Sequence, residues 1–142
     1  MSNFIAQKTI KKLTQSGISL ITSKICVIGI TFKENCPDVR NSKVPDIITE
    51  LKEYGLNPDV FDPVASKETV NDAYNIKLQE SLKSSYYDAI ILAVPHTSIN
   101  QNNFSNVFQS LKSDGPTVFI DVKSAVDKKN LEGKADLAYW RF

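Results

Sequence analysis

Apolar positions along this chain switch between helical spacing and short continuous runs. Ile5, Thr9, Ile10 and Leu13 recur at the helical interval with lysines between them, and Gly17 follows, which predicts a helix over 4–16. Lys24-Ile25-Cys26-Val27-Ile28-Gly29-Ile30 is a short apolar run of the kind that forms a strand buried on both faces. Residues 31–42 have no period and contain Asn, Pro, Asp and Ser, so they read as a loop. Val44, Ile47, Ile48, Leu51 and Tyr54 then mark one helix face, with Pro45 in the first turn and Gly55 after the last. Residues 57–61 read as a second strand closed by Asp62-Pro63, 66–73 as a short helix, and 76–78 as a short strand. The strongest strand pattern is 87–94. Residues 97–111 read as helical in part, with Phe104, Val107, Phe108 and Leu111 on one face. Residues 117–122 form another buried strand, and 138–140 a last edge strand.

Strands that alternate with helices of this length predict an α/β fold: a Rossmann-like parallel sheet with helices on both faces, a three-layer αβα sandwich. In such sheets ligands bind beyond the carboxyl ends of the strands, near the reversal of strand order. Three loops should therefore matter, after Gly29, after Val94 and after Val122. The first helix begins almost at Met1, as the tail of a longer element would.

Composition narrows the picture. The chain has 142 residues, 42% hydrophobic, enough for one core and too few for a second full domain. A net charge of +1 offers nothing to nucleic acid or to an acidic membrane surface. No apolar run approaches the roughly 18 residues of a membrane span, and the first residues lack the pattern of a secretory signal. Cys26 and Cys36 lack the spacing of a redox pair, so a reduced, cytoplasmic setting is expected.

The loop over 29–43 carries Lys33, Arg40 and Lys43 against Glu34 and Asp38, and leads into a helix N-terminus. Free backbone N–H groups there, with a lysine point charge and the planar fork of Arg40, would suit a phosphate. The same residues also allow a plainer reading, in which Asp38 and Arg40 pair locally and the lysines are only solvated. Lys123, after the strand ending in Asp121-Val122, adds a cation at the same sheet edge as Lys33. The dinucleotide fingerprint is absent, because Gly29 stands alone and no Gly-x-Gly occurs. Asp62 mimics a ribose-binding acid but lies further from Gly29 than the roughly 20 residues expected. His96, the single imidazole, reads as a loop or helix-start residue, since no nucleophile-elbow motif accompanies it. Cys36 reads as a small loop residue, although a lysine nearby could activate its thiol.

The segments GITFKENCPDVRNSKVPDII (29–48), DVFDP (59–63), YDAIILAVPH (87–96) and FIDVK (119–123) together resemble the C-terminal, UDP-binding domain of the UDP-glucose/GDP-mannose dehydrogenases. IAQKTIKKL (5–13) resembles the end of the central helix that precedes that domain. The resemblance implies that 1–18 is the end of this linking helix and 19–142 the UDP-sugar-binding domain. The Cys-Pro-Asp-Val-Arg-Asn-Ser form of the loop and Asp121-Val122-Lys123 are similar to the branch acting on UDP-N-acetylhexosamines; relatives acting on UDP-glucose usually carry Arg at the Lys123 position.

It further implies an oxidoreductase that converts the sugar C6 alcohol to a carboxylate for surface polysaccharide synthesis, with NAD as the acceptor. The whole enzyme would be a homodimer or higher homo-oligomer. The family's catalytic cysteine and its NAD motif are not in this sequence, so neither catalysis nor NAD binding is expected of this chain alone. By the same resemblance, Phe32, Lys33 and Lys123 contact the bound UDP-sugar, and Arg40 braces the loop. A free-standing nucleotide-binding or regulatory module is the alternative.

Overall fold

The computed structural model describes residues 1–134 and 136–142. Its five strands are β1 (Ile25–Ile28), β2 (Asp59–Phe61), β3 (Ala89–Leu92), β4 (Thr117–Asp121) and β5 (Leu137–Arg141). All pair in parallel in the order β2-β1-β3-β4-β5. The helices are α1 (Ser2–Gln15), α2 (Val44–Glu53), α3 (Lys67–Tyr74) and α4 (Ser105–Ser110), with a 3-10 turn at Lys128–Leu131. The architecture is the expected Rossmann-like αβα sandwich.

The strand residues divide by parity into two cores, as a pleated sheet requires. Ile25, Val27, Ala89, Ile91, Val118 and Ile120 join the apolar stripes of α1 and α2 on one face. Cys26, Ile28, Ile90, Leu92 and Phe119 meet Val107 of α4 and Phe104 on the other. β5 follows the same rule at the edge: Ala138 and Trp140 pack on the first face, Leu137 and Tyr139 on the second. Ile5, Ala6 and Leu13 of α1 are wholly buried in the first core, so this helix is built into the domain. Burying Ile5 and Leu13 contributes about 1.5–3 kcal/mol each.

Two sequence expectations need correction. Residues 76–78 form no strand. Asn75 ends α3 in a left-handed conformation, and although Ile76 and Leu78 reach the core, the one backbone bond to the β2 edge is from Gln79 N–H to the Val60 carbonyl, 2.8 Å. The helical pattern over 97–111 yields only α4, because Asn102, Asn103 and Phe104 have φ of 51°, 55° and 61°. Three successive left-handed residues break a right-handed helix, and Phe104 enters the core from that turn rather than from a helix face.

β1 leads outward to β2, and the chain then returns to place β3 on the other side of β1. The reversal therefore lies between β1 and β3, and the loops that leave their carboxyl ends face one crevice.

Candidate functional site

The loop after β1 starts at Gly29, where the backbone runs against β3. A Cβ there would stand 2.5 Å from the Val94 Cβ and 2.7 Å from the Val94 backbone N and O, and φ is +91°. Only glycine fits this approach. Beyond it, Ile30 N–H donates to Asp62 Oδ2 at 2.7 Å, and Phe32 N–H to the Asp38 carbonyl at 2.8 Å. Thr31 Oγ1 donates to the Lys33 carbonyl at 3.0 Å. Further on, Tyr74 OH of α3 donates to the Val39 carbonyl, and the loop enters α2 at Val44.

Phe32 is 53% exposed, and Lys33 beside it is also exposed. Both lie in the loop that leads from β1 to the α2 N-terminus. Arg40 Nε and Nη2 grip Asp38 Oδ1 and Oδ2, each at 3.0 Å, and Arg40 N–H donates to Oδ1 as well. Those bonds hold the Asp38 carboxyl below its usual titration range. Arg40 is thus a local partner of Asp38 in an exposed position.

Lys123 stands exposed after β4, with its loop folded over the buried Asp121. Asp121 Oδ1 accepts from Ala125 N–H and Oδ2 from Val126 N–H, each at 2.9 Å, and Tyr139 OH donates to Oδ2 at 2.6 Å. Burial, and then this bond, push the Tyr139 phenol upward. β4 lies two strands from β1, about 10 Å away at normal strand spacing, so Lys33 and Lys123 rise from one sheet edge with β3 between them.

Little in the residue pattern signals what lies beneath the first loop. His96 is completely buried. Its Nε2 is 3.0 Å from Asp62 Oδ2 and 3.3 Å from Thr31 Oγ1, and its Nδ1 accepts from Asn35 N–H at 2.9 Å. Asp62 Oδ1 accepts from Val64 and Ala65 N–H at 2.8 and 2.9 Å. Burial pushes the Asp62 carboxyl up, but the bonds from His96, Ile30, Ala65 and Val64 outweigh it and hold the group below its usual range. The signal available in sequence was position alone: an Asp and a His each just past the end of a strand that flanks β1.

These contacts decide the dinucleotide question. The Asp62 side chain is wholly buried with both oxygens bonded by protein donors, so it is not a ribose acceptor, and Gly29 packs on Val94 instead of opening onto a pyrophosphate. The residues present do not fit NAD. Cys26 is buried in β1, and burial, with the nearby Asp59, pushes its thiol up to about 12. Cys26 and Cys36 are both free. Among the described residues no group of His, Cys, Asp and Glu could hold a metal ion, and no helix is long and apolar enough to cross a membrane.

Known proteins resemble this chain in sequence and in fold. The chain is 42% identical over 101 residues to the UDP-N-acetyl-D-glucosamine 6-dehydrogenase of Salmonella typhi, covering 71% of this chain and 24% of that protein. It is 37% identical over 141 residues to Protein CapL of Staphylococcus aureus, covering 99% and 32%. It thus spans a third or less of the length of the curated relatives it matches. An NDP-N-acetyl-D-galactosaminuronic acid dehydrogenase structure from Methanosarcina mazei shares the fold with a TM-score of 0.81 at 17% identity, over 99% of this chain and 28% of that one. The sequence profile described as "UDP-glucose/GDP-mannose dehydrogenase family, UDP binding domain" matches residues 26–128, which takes in the loop after β1, the Asp62–His96 pair beneath it and the Lys123 strand end. By that match the chain belongs to the UDP-glucose/GDP-mannose dehydrogenase family, as its UDP-binding domain.

Proposed function

We propose that this domain holds the UDP end of a UDP-N-acetylhexosamine for an NAD-dependent 6-dehydrogenase that makes the corresponding uronic acid for surface polysaccharides. The observation that carries the reading is the loop at the strand-order reversal, which exposes Phe32 and Lys33 and leads into the N-terminus of α2. Lys33 and Lys123 would neutralise the diphosphate, the α2 N–H groups would face an oxygen, and Phe32 would cover the nucleotide. Arg40, held by Asp38, would brace the loop. The names of the Salmonella typhi and Pseudomonas aeruginosa relatives support the N-acetylhexosamine class.

In the whole enzyme, binding energy from the remote UDP would place the sugar C6 over a nucleophile supplied elsewhere. NAD would be bound outside this domain, where it would accept hydride, and α1 would be the end of a helix linking the parts. We assign the enzyme to the cytoplasm, in keeping with two free cysteines, and the family likeness supports a homo-oligomer. Titration of the isotope-labelled chain with UDP tests the site. Amide shifts should move at Phe32, Lys33 and Lys123. An absence of change at Phe32 and Lys33 at millimolar UDP would refute it.

A further inference from the structure

Between Thr31 and Asn35 the chain exposes two candidate contacts, Phe32 and Lys33, and Thr31 and Asn35 are both fastened to one buried ring. A backbone N–H can only donate, so the bond from Asn35 N–H leaves His96 Nδ1 unprotonated. The ring proton of the neutral imidazole then sits on Nε2, facing Asp62 Oδ2 and Thr31 Oγ1. Thr31 passes the constraint on through its hydroxyl bond to the Lys33 carbonyl. Asn35, at φ 60°, is further clamped by its side chain: Nδ2 donates to Thr97 Oγ1 at 2.8 Å, and Oδ1 accepts from Thr97 N–H at 2.9 Å. The turn over 31–35 is therefore stapled at both ends to the segment that leaves β3.

We propose that His96 is a positioning residue for UDP binding: through Nδ1 and Nε2 it sets the turn that presents Phe32 and Lys33, without touching the ligand. This rests on the reading of the site given above. The asymmetry of the ring makes the role separable from core filling. His96→Asn puts an amide oxygen near the place of Nδ1 and so retains an acceptor for Asn35. His96→Gln retains a donor towards Asp62 but orphans the Asn35 amide.

The test is calorimetric titration of UDP into the 142-residue chain and both variants, with thermal unfolding in parallel. His96→Asn should bind within a few-fold of the parent. His96→Gln should bind about tenfold more weakly, the scale of one lost hydrogen bond that holds the turn. A folded His96→Gln that binds like the parent overturns the proposal. Failure of the parent itself to bind UDP would instead overturn the site. If neither variant folds, nitrogen NMR of the parent imidazole decides. A proton on Nε2, with Asn35 and Thr31 amides that shift with Lys33 on UDP saturation, supports the role. A proton on Nδ1, or a silent Asn35, overturns it.

Discussion

The loop after β1 is tied down from a distance. Ile30 is bonded to Asp62, Asn35 to His96 and Val39 to Tyr74, partners 32, 61 and 35 residues away. The loop after β4 is tied by its own strand end, where Asp121 accepts from residues four and five positions on, and by one neighbour, β5, from which Tyr139 bonds Asp121 and Arg141 bonds the carbonyls of Ser124 and Val126. Both loops carry a lysine to the same edge, and both fold over a buried aspartate. One shape needs partners from three separate parts of the fold, and the other only its own strand end and the adjoining edge strand. A loop of the first kind should respond to substitutions in elements that never meet the ligand.

The largest expected effect compares the two aspartates. Asp62→Ala strips the acceptor from three backbone amides and from His96, and should cost about 3–5 kcal/mol in urea denaturation. Asp121→Ala strips it from two amides and a phenol, and should cost about 2–3 kcal/mol. The reverse order would break the comparison. Next comes Gly29→Ala, which drives a methyl into Val94 at positive φ and should cost about 2–4 kcal/mol.

Acid sharpens the contrast further. The folded state lowers the Asp62 titration point, so its contribution is fully present above about pH 4 and is lost as pH falls through the lowered value. The stability gap between parent and Asp62→Asn should therefore narrow as pH drops below about 4, measured by denaturant midpoints at each pH. The smallest stability change belongs to Lys33→Ala. It should stay within about 0.5 kcal/mol, because the side chain is solvated, while UDP binding weakens measurably in calorimetry. If Lys33→Ala unfolds the domain, Lys33 is part of the scaffold.

Most of the fold was legible because it rests on short-range pattern. Continuous apolar runs such as Ile25–Ile28 and Ala89–Leu92 are dictated by burial on both faces of a parallel sheet, and helix faces such as Val44, Ile47, Ile48 and Leu51 by burial on one. The pattern misled where the backbone left standard geometry. Phe104 sits at helical spacing from Val107 and Phe108, yet the left-handed turn through Asn102–Phe104 carries it into the core. Ile76 and Leu78 alternate like a strand, but the ladder with the β2 edge does not develop.

The candidate site divides in the same way. Sequence alone determined that a basic loop follows a buried strand and precedes a helix N-terminus, that no paired glycines exist for a dinucleotide, and that the loop matches a nucleotide-sugar family. Those are properties of neighbouring residues. Only the tertiary structure decided what holds the loop in shape. Asp62 looked like a ribose acid and His96 like a loop residue, because nothing local marks two residues that meet when β2 and β3 settle on either side of β1. Burial of a carboxylate requires donors, and the fold supplies them from three backbone amides and one imidazole. That requirement turns two strand ends into the support beneath Phe32 and Lys33.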